Sequence, residues 1–65
     1  MQIDLNGQSL TTRATTLAAL IEEQGFDAAS VATALDGAFI PRALRPTTPL
    51  PAGARVEVLS PMQGG

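Results

Sequence analysis

The residues that could do chemistry in this 65-residue chain are few, because whole classes of reactive side chain are missing. There is no Cys, which excludes a thiolate nucleophile and a disulfide framework, and no His, the most common general base and metal ligand. All four basic residues are Arg, so no Lys is present for Schiff-base chemistry. With a net charge of −2 and no basic cluster, the composition argues against nucleic-acid binding and against an enzyme that acts alone.

Six carboxylates remain as candidate acids, bases or metal ligands: Asp4, Glu22, Glu23, Asp27, Asp36 and Glu57. The pattern places each of them on an outer strand face, on an exposed helix face or in a turn. Glu22 and Glu23 are adjacent on a predicted helix, so their side chains do not converge as a catalytic pair. Asp36-Gly37 is typical of a turn rather than of a metal site. We therefore expect no catalytic residue and no metal site.

The C-terminal segment offers a different kind of reactive group. Pro61 halts strand pairing because it lacks an N–H, and the chain then ends on Gly64-Gly65. Glycine has no Cβ, so its backbone can pass close to another surface. Five extended residues reach roughly 16 Å, which is enough to enter the active site of a partner. We predict a flexible tail over residues 61–65; glycines that merely fray are the alternative.

The free carboxylate of Gly65 would be the working group of such a tail. A terminal carboxylate is ionised at neutral pH and is therefore a poor electrophile. It must first be activated, and ATP-dependent adenylation is the usual route. Stabilising phosphoryl charge requires cations and aligned N–H donors, which this chain lacks, so a partner enzyme would have to supply them.

The N-terminal half of the chain predicts two strands and a helix. Residues 2–6 alternate polar and apolar, Asn6-Gly7 is a strong signal for a hairpin turn, and residues 9–13 form a more polar edge strand. Leu17, Leu20 and Ile21 recur at helical spacing, which predicts a helix over residues 17–24. Thr15 or Thr16 would cap its N-terminus, and Gly25 would end it in a Schellman motif closed by Phe26.

The C-terminal half predicts a second hairpin and a final strand. Residues 31–35 and 38–40 flank the Asp36-Gly37 turn, and Pro41 ends the second of these strands. Three prolines between residues 42 and 54 predict no regular structure there, with a type I turn at residues 50–53. Residues 55–60 form the last strand, which turns Val56 and Val58 to one face.

This order of elements predicts an α+β fold. Pairing the first and last strands in parallel, with the helix in the crossover, gives a β-grasp arrangement: a mixed sheet of four or five strands with one helix packed across one face. We predict that residues 1–60 form this single domain.

A docking surface is predicted around Phe39, with two possible geometries. A two-residue loop at Asp36-Gly37 pairs Ala34 with Phe39 on the outer sheet face, whereas a three-residue loop would bury Phe39. An exposed Phe39 would form a partner patch with Ala34 and Arg42. Arg42, Arg45 and Arg55 could border such a patch, although we expect solvated side chains for arginine.

Several segments together carry a resemblance to a known family: the opening Met1-Gln2-Ile3 with Leu5-Asn6-Gly7, the helix around Thr16 to Ile21, the run from Asp36 to Arg42, and the run from Gly53 to Val58 followed by Gln63-Gly64-Gly65. Over essentially its whole length the chain resembles the ubiquitin-like sulfur carriers, and among them those of thiamin biosynthesis, the ThiS family. The Pro-rich loop at residues 45–51 departs from the more polar helical turn of that family.

The resemblance implies a carrier protein that is acted on by partner enzymes. An E1-like adenylating enzyme (ThiF-like) would convert the Gly65 carboxylate to an acyl-adenylate, with Gly64, Gln63 and Met62 recognised as the tail. Sulfur from cysteine, usually delivered by a cysteine desulfurase, would then give a thiocarboxylate. A thiazole synthase (ThiG-like) would take up that sulfur. The carrier itself would bind no cofactor, since the ATP is used by the activating enzyme.

Three other functions are compatible with the same pattern. They are the small, sulfur-carrying subunit of molybdopterin synthase, a ubiquitin-like protein modifier joined to target lysines, and a β-grasp interaction module with an inert C-terminus. The N-terminus lacks a signal-peptide pattern and no apolar stretch approaches the roughly 20 residues that span a bilayer. We expect a cytoplasmic protein that is a monomer when free, without membrane or nucleic-acid partners.

Overall fold

The structure, a computed structural model, describes residues 1–61. Its elements in chain order are β1 (Gln2–Leu5), β2 (Gln8–Thr11), α1 (Leu17–Glu23), β3 (Ala32–Leu35), β4 (Ala38–Ile40), a 3-10 helix (Arg42–Thr47) and β5 (Arg55–Leu59). The predicted tail-recognition residues Met62, Gln63 and Gly64, and the predicted reactive residue Gly65, lie outside the described residues.

One mixed sheet contains all five strands, in the order β2-β1-β5-β3-β4. β1 and β5 pair in parallel, with Asp4 opposite Arg55 and Leu5 opposite Val56, and the other neighbours are antiparallel. β5 is thus the central strand, and β2 lies at an edge, as its polar sequence predicts. The predicted α+β, β-grasp fold is confirmed.

The helix α1 begins and ends as its sequence predicts. Thr16 is the N-cap, because its hydroxyl oxygen accepts a hydrogen bond of 3.2 Å from Ala19 N. At the other end Phe26 N donates to Ile21 O and Gly25 N donates to Glu22 O, both at 3.1 Å, which is the Schellman pattern. Gly25 has the positive φ, 76°, that this motif requires.

The core lies between α1 and one face of the sheet. Its buried apolar residues come from the two ends of the domain, residues 3–21 and 50–58: Ile3, Ala14, Leu17, Leu20, Ile21, Leu50, Ala54, Val56 and Val58. Alternate residues of β5 turn into this core, which leaves the opposite sheet face to solvent.

The two hairpins close with the same two-residue turn. Asn6 and Gly7 have φ values of 52° and 83°, and Asp36 and Gly37 have 48° and 87°, as a type I′ turn requires. In the second hairpin Ala34 pairs with Phe39, so the two-residue loop is correct and the three-residue alternative that would bury Phe39 is wrong.

The prediction that residues 42–54 lack regular structure is wrong, since a 3-10 helix spans Arg42–Thr47. Proline fits there because Pro46 occupies the second position of a turn in which Thr48 N donates to Arg45 O at 3.2 Å, and that position needs no N–H. Proline content alone therefore misjudged this loop.

The predicted turn at residues 50–53 is displaced by one residue. Its hydrogen bond, 3.0 Å, runs from Ala54 N to Pro51 O, and Gly53 follows Ala52 with a φ of 80°. Gly53 therefore stands at the third position, where a type II turn needs a positive φ, rather than at the fourth position of a type I turn.

Candidate functional site

The central strand leads the chain directly to its C-terminal segment. On β5 Val56 and Val58 are buried, while Leu59, Ser60 and Pro61 are exposed. On the β3 side Leu59 is still paired, opposite Ala32. Pro61 therefore lies at the surface, two residues beyond the end of a strand that is held in the middle of the sheet.

Asn6 holds that end of β5 through its side chain. Its Nδ2 donates to Val58 O at 3.2 Å, and its Oδ1 accepts from Val58 N at 2.8 Å. The backbone N–H of Asn6 also donates to Val56 O at 2.9 Å. One residue in the first hairpin turn thus makes three hydrogen bonds to β5, one to Val56 and two to Val58.

Asp36, in the second hairpin turn, holds the opposite end of β5. Its carboxylate Oδ1 accepts from Arg55 N at 2.8 Å, and its backbone N–H donates to Arg55 O at 2.7 Å. The two turns therefore clasp the central strand from opposite sides, Asp36 where β5 begins and Asn6 close to where it ends.

An exposed apolar surface lies beside the end of β5, on the sheet face away from α1. Phe39 is 68% exposed and Leu59 is 71% exposed, and strand pairing places them next to Ala34 and Ala32 respectively. These four residues, called the outer patch below, line a shallow cleft of about 90 Å³ bordered by Glu57. The predicted exposure of Phe39 and its pairing with Ala34 are therefore found in the structure.

Sequence reasoning missed Leu59 and Ala32 as members of the outer patch. The signal was present for Leu59: since Val56 and Val58 face the core, the alternation along β5 turns Leu59 outward. Ala32 could be found only once the pairing of β3 with β5 was known.

Arg42 does not share a cleft with Phe39 and Ala34. It lines a separate cleft of about 370 Å³ between α1 and the 3-10 helix, together with Glu22 and Phe26 among others. The sequence predicts that Arg42 forms a patch with Phe39 and Ala34, whereas in the structure it lines a different cleft.

Arg45 is buried rather than solvated, which corrects the prediction for this residue. Its side chain is only 4% exposed. Its Nε donates to Thr33 Oγ1 at 3.0 Å, its Nη1 to Ala28 O at 2.9 Å and its Nη2 to Val31 O at 2.6 Å. These acceptors match the fixed fork of donors on a guanidinium, and this accounts for the burial of its charge.

Two carboxylates, those of Glu23 and Asp27, accept hydrogen bonds that connect segments of the chain. Glu23 accepts hydrogen bonds from the Thr12 hydroxyl and from Arg13 N, and these bonds hold its pKa below the ordinary value, the first having the larger effect. Asp27 accepts from the Ser30 hydroxyl at 2.8 Å and from Ala29 N at 3.1 Å, which lowers its pKa in the same way. Both carboxylates tie short segments of backbone together.

Two kinds of site are absent from the part of the chain that the structure describes. Within residues 1–61 no group of three or more acidic residues could hold a metal ion. In the same part of the chain no helix is long and apolar enough to cross a membrane. The outer patch and the end of β5 adjoin each other, because Leu59 belongs to both.

Comparison with known proteins identifies the family. A crystal structure of a thiamine biosynthesis protein (ThiS) from Geobacter metallireducens is 26% identical, with a TM-score of 0.84 and full coverage of both chains. A solution NMR structure of a thiamine biosynthesis protein from the same organism gives 26% identity and a TM-score of 0.83, covering 100% of this chain and 88% of that one. The comparison with curated proteins gave no significant match. Because the model of the ThiS family matches residues 2–65, the chain belongs to the ThiS family.

Proposed function

We propose that this protein is a sulfur carrier of thiamin biosynthesis. The observation that carries the proposal is the family match over residues 2–65, which includes the terminal Gly64-Gly65. The similar solved structures are described as thiamine biosynthesis proteins, which supports the same pathway. In this role the protein is a co-substrate of partner enzymes and performs no catalysis itself.

The chemistry is centred on the Gly65 carboxyl group. A carboxylate oxygen attacks the α-phosphorus of ATP on a ThiF-like adenylating enzyme, pyrophosphate leaves, and an acyl-adenylate forms. The terminal sulfur of the persulfide that a cysteine desulfurase forms from cysteine then attacks the activated carbonyl carbon, and AMP leaves to give an acyl disulfide. A thiol reduces this disulfide, forms a new disulfide with the desulfurase sulfur, and so releases the thiocarboxylate. A ThiG-like thiazole synthase accepts this sulfur. The chain has no Cys and so cannot carry the sulfur as a cysteine persulfide, which supports the C-terminal carboxyl group as the carrier.

The C-terminal residues have separate roles in this proposal. Gly64 and Gly65 carry no Cβ and so fit a narrow active-site channel. Gln63 and Met62 are the residues that the partner recognises along the tail. Pro61, which is exposed, follows β5 and cannot extend the sheet ladder through an N–H.

We further propose that the outer patch docks the activating enzyme or the thiazole synthase. Phe39 and Leu59 expose most of their side chains on a sheet face, and exposed aromatic residues of this kind are common anchors of protein interfaces. Leu59 is also the last residue of β5, two positions before Pro61. A partner that covers the outer patch therefore lies next to the end of β5, from which the C-terminal segment starts, and can bind that segment.

Intact-protein mass spectrometry tests the carrier function. Incubation with ATP, a ThiF-like adenylating enzyme, cysteine, a cysteine desulfurase and a thiol reductant should raise the mass by the difference between one sulfur and one oxygen. Deletion of Gly65, or addition of one Ala after it, should abolish the change while leaving the β-grasp domain intact. An unchanged mass for the wild-type protein would contradict the proposal. Higher-mass conjugates to other proteins would indicate a protein modifier instead.

The pathway is tested by growth. Deletion of the gene should cause a growth defect that added thiamin rescues. A defect that thiamin does not rescue, accompanied by loss of molybdenum-cofactor enzymes, would favour the small subunit of molybdopterin synthase. Because the reactions need ATP and cysteine-derived sulfur, we propose the cytoplasm as their location.

A further inference from the structure

We infer that Asn6 is a positioning residue for the C-terminal segment: its carboxamide takes the place of the backbone that β1 no longer supplies, and it thereby fixes the end of β5. The inference rests on the proposed function in one respect, namely that this segment carries the reacting carboxyl group. The hydrogen bonding around Asn6 stands independently of that function.

The parallel ladder between β1 and β5 explains why a substitute is needed. Asp4 N donates to Ala54 O at 2.8 Å, and Asn6 N donates to Val56 O at 2.9 Å, so successive steps of the ladder advance by two residues on each strand. The next step would pair Val58 with backbone beyond the start of the turn. Asn6, however, has a φ of 52°, and the chain turns there into β2.

The Asn6 side chain completes this missing step. Oδ1 accepts from Val58 N at 2.8 Å, as the next main-chain carbonyl would, and Nδ2 donates to Val58 O at 3.2 Å, as the next N–H would. A carboxamide carries one acceptor and one donor group, as a peptide unit does. Both backbone groups of Val58 are thus paired on the β1 side, and Ala32 continues to hold Leu59 on the other side.

The comparison with Asp36 shows why one turn needs Asn and the other accepts Asp. Asp36 also begins a type I′ turn, with a φ of 48°. It pairs with both backbone groups of Arg55, but its own N–H donates to Arg55 O, so its side chain only has to accept from Arg55 N. At Val58 the side chain must both accept and donate. A carboxylate can do only the first, whereas the amide of Asn6 does both.

The consequence for function follows from the position of Val58, three residues before Pro61. Without the carboxamide, both backbone groups of Val58 lose their partners on one side, and unpaired backbone groups favour local opening of the strand. The origin of the C-terminal segment would then shift relative to the outer patch. A displacement of about 1 Å at a reacting group can cost about a hundredfold in rate. Loss of the Asn6 hydrogen bonds to Val58 should therefore slow delivery of the carboxyl group rather than weaken docking of the carrier.

Two variants and one matched control test this. Asn6→Gly keeps a residue that tolerates positive φ but removes the carboxamide, and Asn6→Asp keeps the shape and the acceptor but removes the donor. Asp36→Gly is the matched control, because it removes a side-chain hydrogen bond from the other end of β5. All three are used as the full chain, and their free energies of unfolding are compared in urea.

Amide hydrogen exchange gives the first measurement. In Asn6→Gly the exchange rate of the Val58 amide relative to that of the Val56 amide should rise at least about tenfold, as expected for the loss of about 1.4 kcal/mol of local protection. Asp36→Gly should leave this ratio unchanged. Equal ratios in Asn6→Gly and wild-type protein would overturn the inference without bearing on the proposed function.

Steady-state kinetics of adenylation, with a ThiF-like enzyme, give the second measurement. Asn6→Gly and Asn6→Asp should lower kcat about tenfold or more, with little change in the KM for the carrier. Asp36→Gly should keep both constants. If Asp36→Gly lowered kcat as much as Asn6→Gly did, Asn6 would be merely structural. If the wild-type protein were not adenylated, the proposed function would be contradicted, and with it the role of Asn6 in delivering the carboxyl group. The exchange ratio would still show separately whether Asn6 holds Val58.

Discussion

The Arg45 guanidinium and the Thr33 hydroxyl are joined by a hydrogen bond of 3.0 Å inside the protein, where both side chains are almost fully buried. Thr33 Oγ1 in turn donates to Ile40 O at 2.8 Å. The 3-10 helix is therefore connected through Arg45 to β3 and, through Thr33, to β4. Two more Arg45 bonds, to Ala28 O and Val31 O, fix the loop that leads into β3.

Replacement of Arg45 by Lys should destabilise the protein although the charge is kept. An ammonium group cannot reproduce the fork that reaches three acceptors, so at least one buried oxygen loses its partner, at a cost of about 1–3 kcal/mol. Arg42→Lys is the matched control in the same 3-10 helix; because Arg42 is exposed, its change should stay within about 0.5 kcal/mol. Urea denaturation measures both. Equal midpoints for the two variants would show that the Arg45 bonds contribute nothing specific.

Arg45 also shows where sequence reasoning fails. Arginine is mostly exposed in proteins, and here its acceptors lie 12 to 17 positions earlier in the chain. Two of them are backbone carbonyls, which leave no mark on the sequence. By contrast, the cap at Thr16, the turns at Asn6 and Asp36 and the ending at Gly25 were predictable, because each depends on neighbouring residues and on a backbone angle that few residue types accept.

The candidate site was predictable in part for a similar reason. Exposure of Phe39 follows from strand alternation once the turn length is known, and that of Leu59 follows from the buried valines beside it. The place of Arg42 did not follow from the sequence, because it begins the unpredicted 3-10 helix and lines a cleft with Glu22 and Phe26. Residues 62–65 lie outside the described part of the chain, so the roles assigned to them stay predictions.

Replacement of Phe39 by Ala should weaken docking with little effect on stability. The side chain is mostly exposed, so its removal costs little in folding, whereas loss of an aromatic anchor commonly weakens an interface by about 2 kcal/mol, or roughly thirtyfold. We expect the KM for the carrier in adenylation or sulfur transfer to rise while kcat is retained. Leu59→Ala should act in the same direction.

Leu44→Ala is the control for these variants. Leu44 is also an exposed apolar residue, 52% accessible, but it lies in the 3-10 helix and not in the outer patch. Its replacement should leave the KM unchanged with both partners. If Phe39→Ala bound the adenylating enzyme and the thiazole synthase as tightly as the wild-type protein did, the outer patch would not be a docking surface.

Replacement of Gly25 by Ala should cost stability through the backbone alone. A Cβ at this position would meet no atom within 4 Å, so no clash is introduced, but the φ of 76° is unfavourable for a residue with a side chain by about 1–2 kcal/mol. Gly25→Asn should cost less, because asparagine tolerates the left-handed conformation at a helix end. Thermal unfolding separates the two. Identical melting temperatures for Gly25→Ala and the wild-type protein would mean that the left-handed ending of α1 carries no such cost.

Acidification should remove the contribution of Glu23. Its pKa is lowered in the folded protein mainly by the hydrogen bond from the Thr12 hydroxyl, with a further contribution from Arg13 N and an opposing effect of burial. A lowered folded pKa means that the stabilisation is complete above the pKa of the unfolded chain, about 4.3, and is lost as the pH falls through the folded value.

Glu23→Gln, which makes only neutral hydrogen bonds, should therefore unfold at lower urea than the wild-type protein at neutral pH, and the difference should shrink below about pH 4. In a Thr12→Val background the main cause of the lowered pKa is absent, so the same comparison should depend less on pH. A midpoint difference that stays constant from neutral to acidic pH would show that Thr12 does not stabilise the ionised form of Glu23.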